Sequence, residues 1–93
     1  MIVRVVLTKR AQRDTRGLPH HVVDKLATWV KAVQLRGLEE VRRIPGYHDE
    51  PLRGERRGQR SIRLSLQYRA IYRVQNDGRV EFVSVEEVHK HDY

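Results

Sequence analysis

The stretch from Glu87 to Tyr93, EVHKHDY, is dense in side chains that hold or hand on a proton: two histidines, a lysine, two acids and a tyrosine. Imidazole is the side chain suited to exchanging a proton near neutral pH. Upstream, between Leu52 and Arg73, seven arginines (Arg53, Arg56, Arg57, Arg60, Arg63, Arg69 and Arg73) stand against one acid, Glu55, so this stretch carries +6 of the chain's net +7. The planar guanidinium fork pairs with phosphate through two parallel hydrogen bonds. Proton-transfer groups beside a concentrated anion-binding surface suggest a polyanionic partner, most simply a nucleic acid.

Three chemistries can be weighed against these residues. His89 and His91 lie two apart, which on a strand places them on one side next to Asp92. A zinc or iron site needs three or four ligands, and His20, His21 and His48 form no HExxH or carboxylate cluster to complete one, so no metal and no cofactor are expected. A serine or cysteine nucleophile lacks its setting, since there is no cysteine and no Gly-x-Ser-x-Gly elbow, and the glycines at 54 and 58 do not form a phosphate loop. Cleavage of RNA by its own 2′-hydroxyl needs less. It takes a base for the 2′-proton, an acid for the departing 5′-oxygen and a cation for the crowded phosphorane. Glu50, Arg63, Arg69, His91 and Tyr93 are the residues here that could fill those roles.

The elements that must position them follow from pattern. Residues 2–7, IVRVVL, are rich in β-branched side chains and read as a strand. Thr8 can cap a short helix over 9–16, closed by Gly17. Pro19 opens a longer helix whose apolar stripe, Val22, Leu26, Val30 and Val33 with Val23 and Trp29 beside it, stops at Gly37. The next stretch, LEEVRRIPGYHDEPLRGERRGQ, reads as a long loop with one possible helical turn. Beyond it the period becomes two. RSIRLSL and YRAIYRV are strands, Asn76-Asp77-Gly78 signals a hairpin, and RVEFVSVEEV is the final strand. The order β-α-α-β-β-β predicts an α+β fold with two N-terminal helices packed on a mainly antiparallel sheet. If Ile62 and Leu64 face the helices, Arg63 faces away, and Arg69, Ile71 and Arg73 share a face opposite Ala70, Tyr72 and Val74.

Bulk properties agree with a single soluble domain spanning residues 1–93: 39% hydrophobic and 33% charged residues fit a globular chain. No apolar run approaches the roughly 20 residues of a membrane span. The MIVRVVLTKR segment is too short and strand-like for a secretory signal, and the lack of cysteine agrees with a reducing, cytoplasmic setting.

The block QYRAIYRVQNDGRVEFVSVEEVHKHDY resembles the C-terminal half of toxins in the RelE/ParE superfamily, whose third strand carries a Tyr/His-Arg-hydrophobic-hydrophobic-Tyr signature followed by a His/Tyr-containing tail. HDEPLRG is similar to the Glu-Pro-Leu-basic segment of the YoeB-like branch, as is the interval from Arg63 to Arg69. With the size and element order, the resemblance covers essentially the whole chain. It implies a RelE-like fold, akin to microbial ribonucleases, and a ribosome-dependent mRNA endonuclease neutralised by a cognate antitoxin. It maps Glu50 onto the general base, Arg69 onto the phosphate-stabilising arginine, and Arg53 and Arg63 onto positions that grip the RNA backbone. The acid falls in the terminal motif, with His91 chosen and Tyr93 orienting or stacking. Arg56, Arg57, Arg60, Arg73 and Lys90 complete the expected RNA-binding surface, and Tyr68 is placed to reach a base.

Two departures from the superfamily pattern stand out. Lysines found in the second strand of RelE-type members are replaced by Ser61 and Arg63, and Asp92 separates the terminal histidine from the tyrosine, so the acid's role can pass to His89, Lys90 or Tyr93. Two other functions stay open at this point: a ParE-like inhibitor of DNA gyrase, with the same fold and no ribonuclease constellation, and a non-catalytic RNA-binding module.

Overall fold

The computed structural model describes residues 1–90 of the 93. Strand β1 (Arg4–Leu7) leads into helix α1 (Lys9–Thr15), and helix α2 (His20–Arg36) follows. Thr8 caps α1 as its position suggests, its hydroxyl accepting from the Ala11 amide at 3.1 Å. Pro19 sits at the N-cap of α2, and Gly37 ends that helix with φ 87°, a conformation that side chains resist.

The region read as one long loop contains more order than expected. It folds as a one-turn helix α3 (Leu38–Val41), 3-10 turns at Pro45–Tyr47 and Gly54–Arg56, and a two-residue strand β2 (Glu50–Pro51) between them. The one possible helical turn expected in this stretch is α3, whereas no period can announce a two-residue strand or the 3-10 turns, which is why the pattern missed those. Strands β3 (Gln59–Arg63), β4 (Tyr68–Asn76) and β5 (Glu81–Lys90) form where the period-two pattern places strands, although β3 stops at Arg63 instead of running on to Leu66. In the β4–β5 turn Asp77 Oδ1 accepts from the amides of Arg79 and Val80.

The strands form one five-stranded sheet in the order β1-β5-β4-β3-β2. Three of the pairings are antiparallel; β1 runs parallel to β5. The parallel pair needs a crossover, and α1, α2 and α3 with β2 to β4 supply it. Helices lie on one face, called inner here. Val22, Leu26, Trp29 and Val33 from α2 pack with Ile62, Ala70, Tyr72, Val83, Val85 and Val88 from the sheet. Each fully buried large side chain contributes roughly 1.5–3 kcal/mol of transfer free energy. Trp29 and Tyr72 sit at the centre with ring centroids 5.2 Å apart. No helix among the described residues is long and apolar enough to cross a membrane.

β4 and β5 do not run in a uniform register. Ile71 opposes Glu87 but Tyr72 opposes Val85, so Glu86 is an extra residue, a β-bulge. A bulge frees backbone groups, and the α1 region takes them up. Thr8 Oγ1 donates to the Glu86 carbonyl at 2.9 Å, and Asp14 Oδ2 accepts from the Val88 amide at 3.0 Å.

Candidate active site

Alternation turns one set of side chains away from the helices, and register decides which of them meet. Arg63 on β3 lies directly opposite Arg69 on β4, and Arg69 lies opposite His89 on β5. Glu50 on β2 is opposite Ser61 on β3. The outer face therefore gathers Glu50, Ser61, Arg69 and His89 from four neighbouring strands. With Leu52, Arg56 and Ile71 they line a cavity of about 370 Å³.

Arg69 is the electrostatic centre of this cavity. Its side chain is only 15% exposed, and its Nη1 lies 3.2 Å from Ser61 Oγ and 3.5 Å from Glu50 Oε1. A neutral hydroxyl and one more exposed carboxylate leave the fork fixed yet incompletely neutralised, which suits it to a phosphate. The imidazole of His89 is oriented by its Nδ1, 3.2 Å from the Lys90 carbonyl. Its Nε2 is buried without a hydrogen-bond partner among the described residues, 3.8 Å from Glu87 Oε1. A buried ring nitrogen without a partner is costly unless a ligand or proton transfer uses it.

The bulge shapes the chemistry around the cavity. Because of the extra residue, Glu86 and Glu87 both serve the outer face although they are adjacent in sequence. Glu86 accepts from Gln59 Nε2 at 2.9 Å and Arg73 Nε at 3.1 Å. Glu87 takes the two-pronged fork of Arg56 at 3.0 and 3.2 Å, with Arg10 at 3.6 Å. The Arg56 hydrogen bonds hold the Glu87 carboxyl below its ordinary range, against the opposing effect of burial. Arg56, on the loop, is thereby strapped across the sheet as one wall of the cavity.

The predicted binding residues divide between surfaces. Arg63 and Arg73 lie on the outer face with Arg69, while Arg53 and Arg57 are exposed on the loop beside it. Arg60 points the other way, toward the helices, where its Nε donates to Asp49 Oδ1 at 2.6 Å. Tyr68 packs against the core, and Lys90 opposes it at the end of β5. His91 and Tyr93 lie outside the described residues. Sequence reasoning placed His89 second to His91. Only the bulged β4–β5 register shows that His89 faces Arg69, because a single slipped residue reverses every later side chain.

The family described as the ParE toxin of type II toxin-antitoxin system, parDE, matches residues 5–89. The chain belongs to the ParE toxin family. It is accordingly a member of the wider RelE/ParE toxin superfamily. Among solved structures, YafQ from E. coli strain BL21 is similar with a TM-score of 0.72 and 17% identity, over 94% of this chain and 91% of that one. The YoeB/ParE toxin from Agrobacterium tumefaciens gives 0.67 and 23%, over 96% and 99%. The toxin-antitoxin complex RelBE2 from Mycobacterium tuberculosis gives 0.61 and 24%, over 98% and 100%. At these identities the structures establish the common α+β fold. No curated protein matches by sequence.

Proposed function

We propose that this ParE-family toxin is an RNA endonuclease that cuts mRNA on the ribosome. The observation that carries the reading is the meeting of Glu50, Arg69 and His89 around one cavity on a basic face. In this reading the Glu50 carboxylate takes the proton of a 2′-hydroxyl as that oxygen bonds to phosphorus. Arg69 stabilises the charge that gathers on the phosphorane oxygens. The bond from phosphorus to the 5′-oxygen then breaks, and His89 delivers the proton the leaving oxygen needs. The products are a 2′,3′-cyclic phosphate and a free 5′-hydroxyl. His91 and Tyr93, assigned by resemblance, are competing donors for the same step. Arg53, Arg57, Arg63 and Arg73 would hold the RNA backbone on either side.

A cognate antitoxin is part of the proposal. Two of the similar structures, RelBE2 from Mycobacterium tuberculosis and DinJ-YafQ from E. coli, are toxin-antitoxin complexes. A cytoplasmic site of action follows from the proposed target.

The family match itself favours a second reading, inhibition of DNA gyrase in the manner the ParE name suggests. One experiment separates the two. The chain is expressed under tight repression, induced, and the 5′ ends of cellular mRNA are mapped. Codon-phased cleavage that disappears in Arg69→Ala and His89→Ala supports the nuclease. Growth arrest with intact mRNA and broken or relaxed DNA moves the assignment to gyrase, and a chain that binds RNA without toxicity is a binding module.

A further inference from the structure

Glu50 occupies its place with little help from the backbone. Its strand is two residues long, and the second is Pro51, which has no amide hydrogen to give the ladder. The chain enters it through His48 in the left-handed conformation, φ 46° and ψ 49°. Nothing in so short a strand would by itself keep a carboxylate with 59% of its side chain exposed beside Arg69.

The preceding residue supplies the fixation. The Asp49 side chain is 1% exposed, and both of its oxygens are engaged on the inner face. Oδ1 accepts from Arg60 Nε at 2.6 Å, and Oδ2 accepts from the Tyr72 hydroxyl at 2.5 Å. Neither donor has freedom to wander. Tyr72 is fully buried in the core against Trp29, and Arg60 is registered on β3 between Pro51 and Tyr72. Burial first, and the Asp49 hydrogen bond second, push the Tyr72 hydroxyl far above its ordinary range, so it remains a donor under all working conditions. Successive residues of a strand point to opposite faces. With Asp49 pinned inward, Glu50 must project outward at the cavity.

A buried carboxylate is a poor way to gain stability, since well-packed apolar groups usually do as well or better. Its value here is orientation. We infer that Asp49 is a positioning residue, whose clamp to Tyr72 and Arg60 on the inner face sets Glu50 opposite Arg69 on the outer face. The inference rests on the nuclease reading for its catalytic consequence. The placement of Glu50 can be tested without it.

Two measurements on Asp49→Ala and Tyr72→Phe decide the matter. The first is nuclear Overhauser contact between the Glu50 side chain and those of Ser61 and Arg69. Both variants are expected to weaken or lose it, while the core contacts of Trp29 persist. The second is cleavage kinetics on a programmed ribosome, alone and in a Glu50→Gln background. Asp49→Ala is expected to lower kcat about 100-fold, the scale of a misplaced general base, with KM changed less than about twofold. Added to Glu50→Gln it should cost nothing further, because both act through one group. Tyr72→Phe, which keeps the core volume, guards against a simple failure to fold and is expected to give a smaller loss of the same kind. Overhauser contacts that survive in both variants overturn the inference, as does a kinetic loss that adds in full to that of Glu50→Gln. If Glu50→Gln itself cleaves normally, the assignment of Glu50 as the general base falls while the nuclease reading stands, and the Overhauser result alone decides the clamp.

Discussion

Arg69 shows how a single side chain can be both fixed and available. Ser61 and Glu50 orient its guanidinium without extinguishing its charge, and burial restricts the water that would otherwise screen it. On the proposed nuclease reading, replacement by alanine is expected to lower the rate of RNA cleavage about 10²–10³-fold, the range for removing a main charge-stabilising donor. Arg69→Lys should recover only part of that loss, because an ammonium cannot span two phosphate oxygens. Single-turnover cleavage measures both. Glu87 leads to a prediction about acid stability. Its carboxyl is held low in the folded state, chiefly by Arg56, so its contribution is present above the unfolded carboxylate's ordinary pKa of about 4.3 and is lost as pH falls through the folded value. Glu87→Gln is therefore expected to flatten the pH dependence of unfolding on the acid side, read from urea titrations between pH 3 and pH 6.

Among the elements, α1 and the β5 bulge function as a unit. Thr8 caps the helix and holds the Glu86 carbonyl, while Asp14 holds the Val88 amide, so a short helix is tied to the irregular point of the sheet at both ends. Asp14→Ala is expected to cost about 1 kcal/mol and to speed hydrogen exchange at Val88 ahead of its neighbours. Uniform acceleration across β5 would mean that the bond does not hold the bulge. This unit also marks where the sequence stops being legible. The Thr8 cap, the α2 stripe, the Asn76-Asp77-Gly78 turn and the shared face of Arg63 and Arg69 all follow from local chemistry or period. The bulge does not, because Glu86-Glu87 reads as ordinary alternation until the β4 partner is known. The placement of His89 opposite Arg69 was hidden for the same reason. β2 was hidden differently. A pair of residues has no periodicity, and Asp49-Glu50 looks like a polar loop until one carboxylate is seen buried and the other exposed. Arg60 likewise read as one more phosphate contact among seven arginines, while its pairing with Asp49 depends on a long-range fold.

For the molecule as a whole, the small core leaves little margin. Trp29 is fully buried at its centre and reaches Tyr72, which in turn holds Asp49. Trp29→Ala is expected to destabilise the fold by about 3–5 kcal/mol, a large part of the stability of a domain this size. Calorimetric and urea midpoints would show it, and Trp29→Phe should restore much of the loss. Charge has its own organisation: the inner face is mostly apolar, with the Asp49–Arg60 pair buried in it, while the arginine-rich loop borders the outer face, so the apolar side of the sheet builds the fold.

The parallel seating of β1 beside β5 has a consequence in time. A ribosome makes β1 at the start and β5 only after seventy-odd more residues, so the sheet cannot close while the intervening chain is still being made. His89 and the carboxylates of the bulge arrive with that same final strand. An arrested nascent chain ending before β5 is expected to be cut readily by protease and, on the proposed nuclease reading, to leave its own ribosome unharmed. The topology thus withholds the assembled outer face until synthesis of β5 is done, which on the nuclease reading makes it a safety catch.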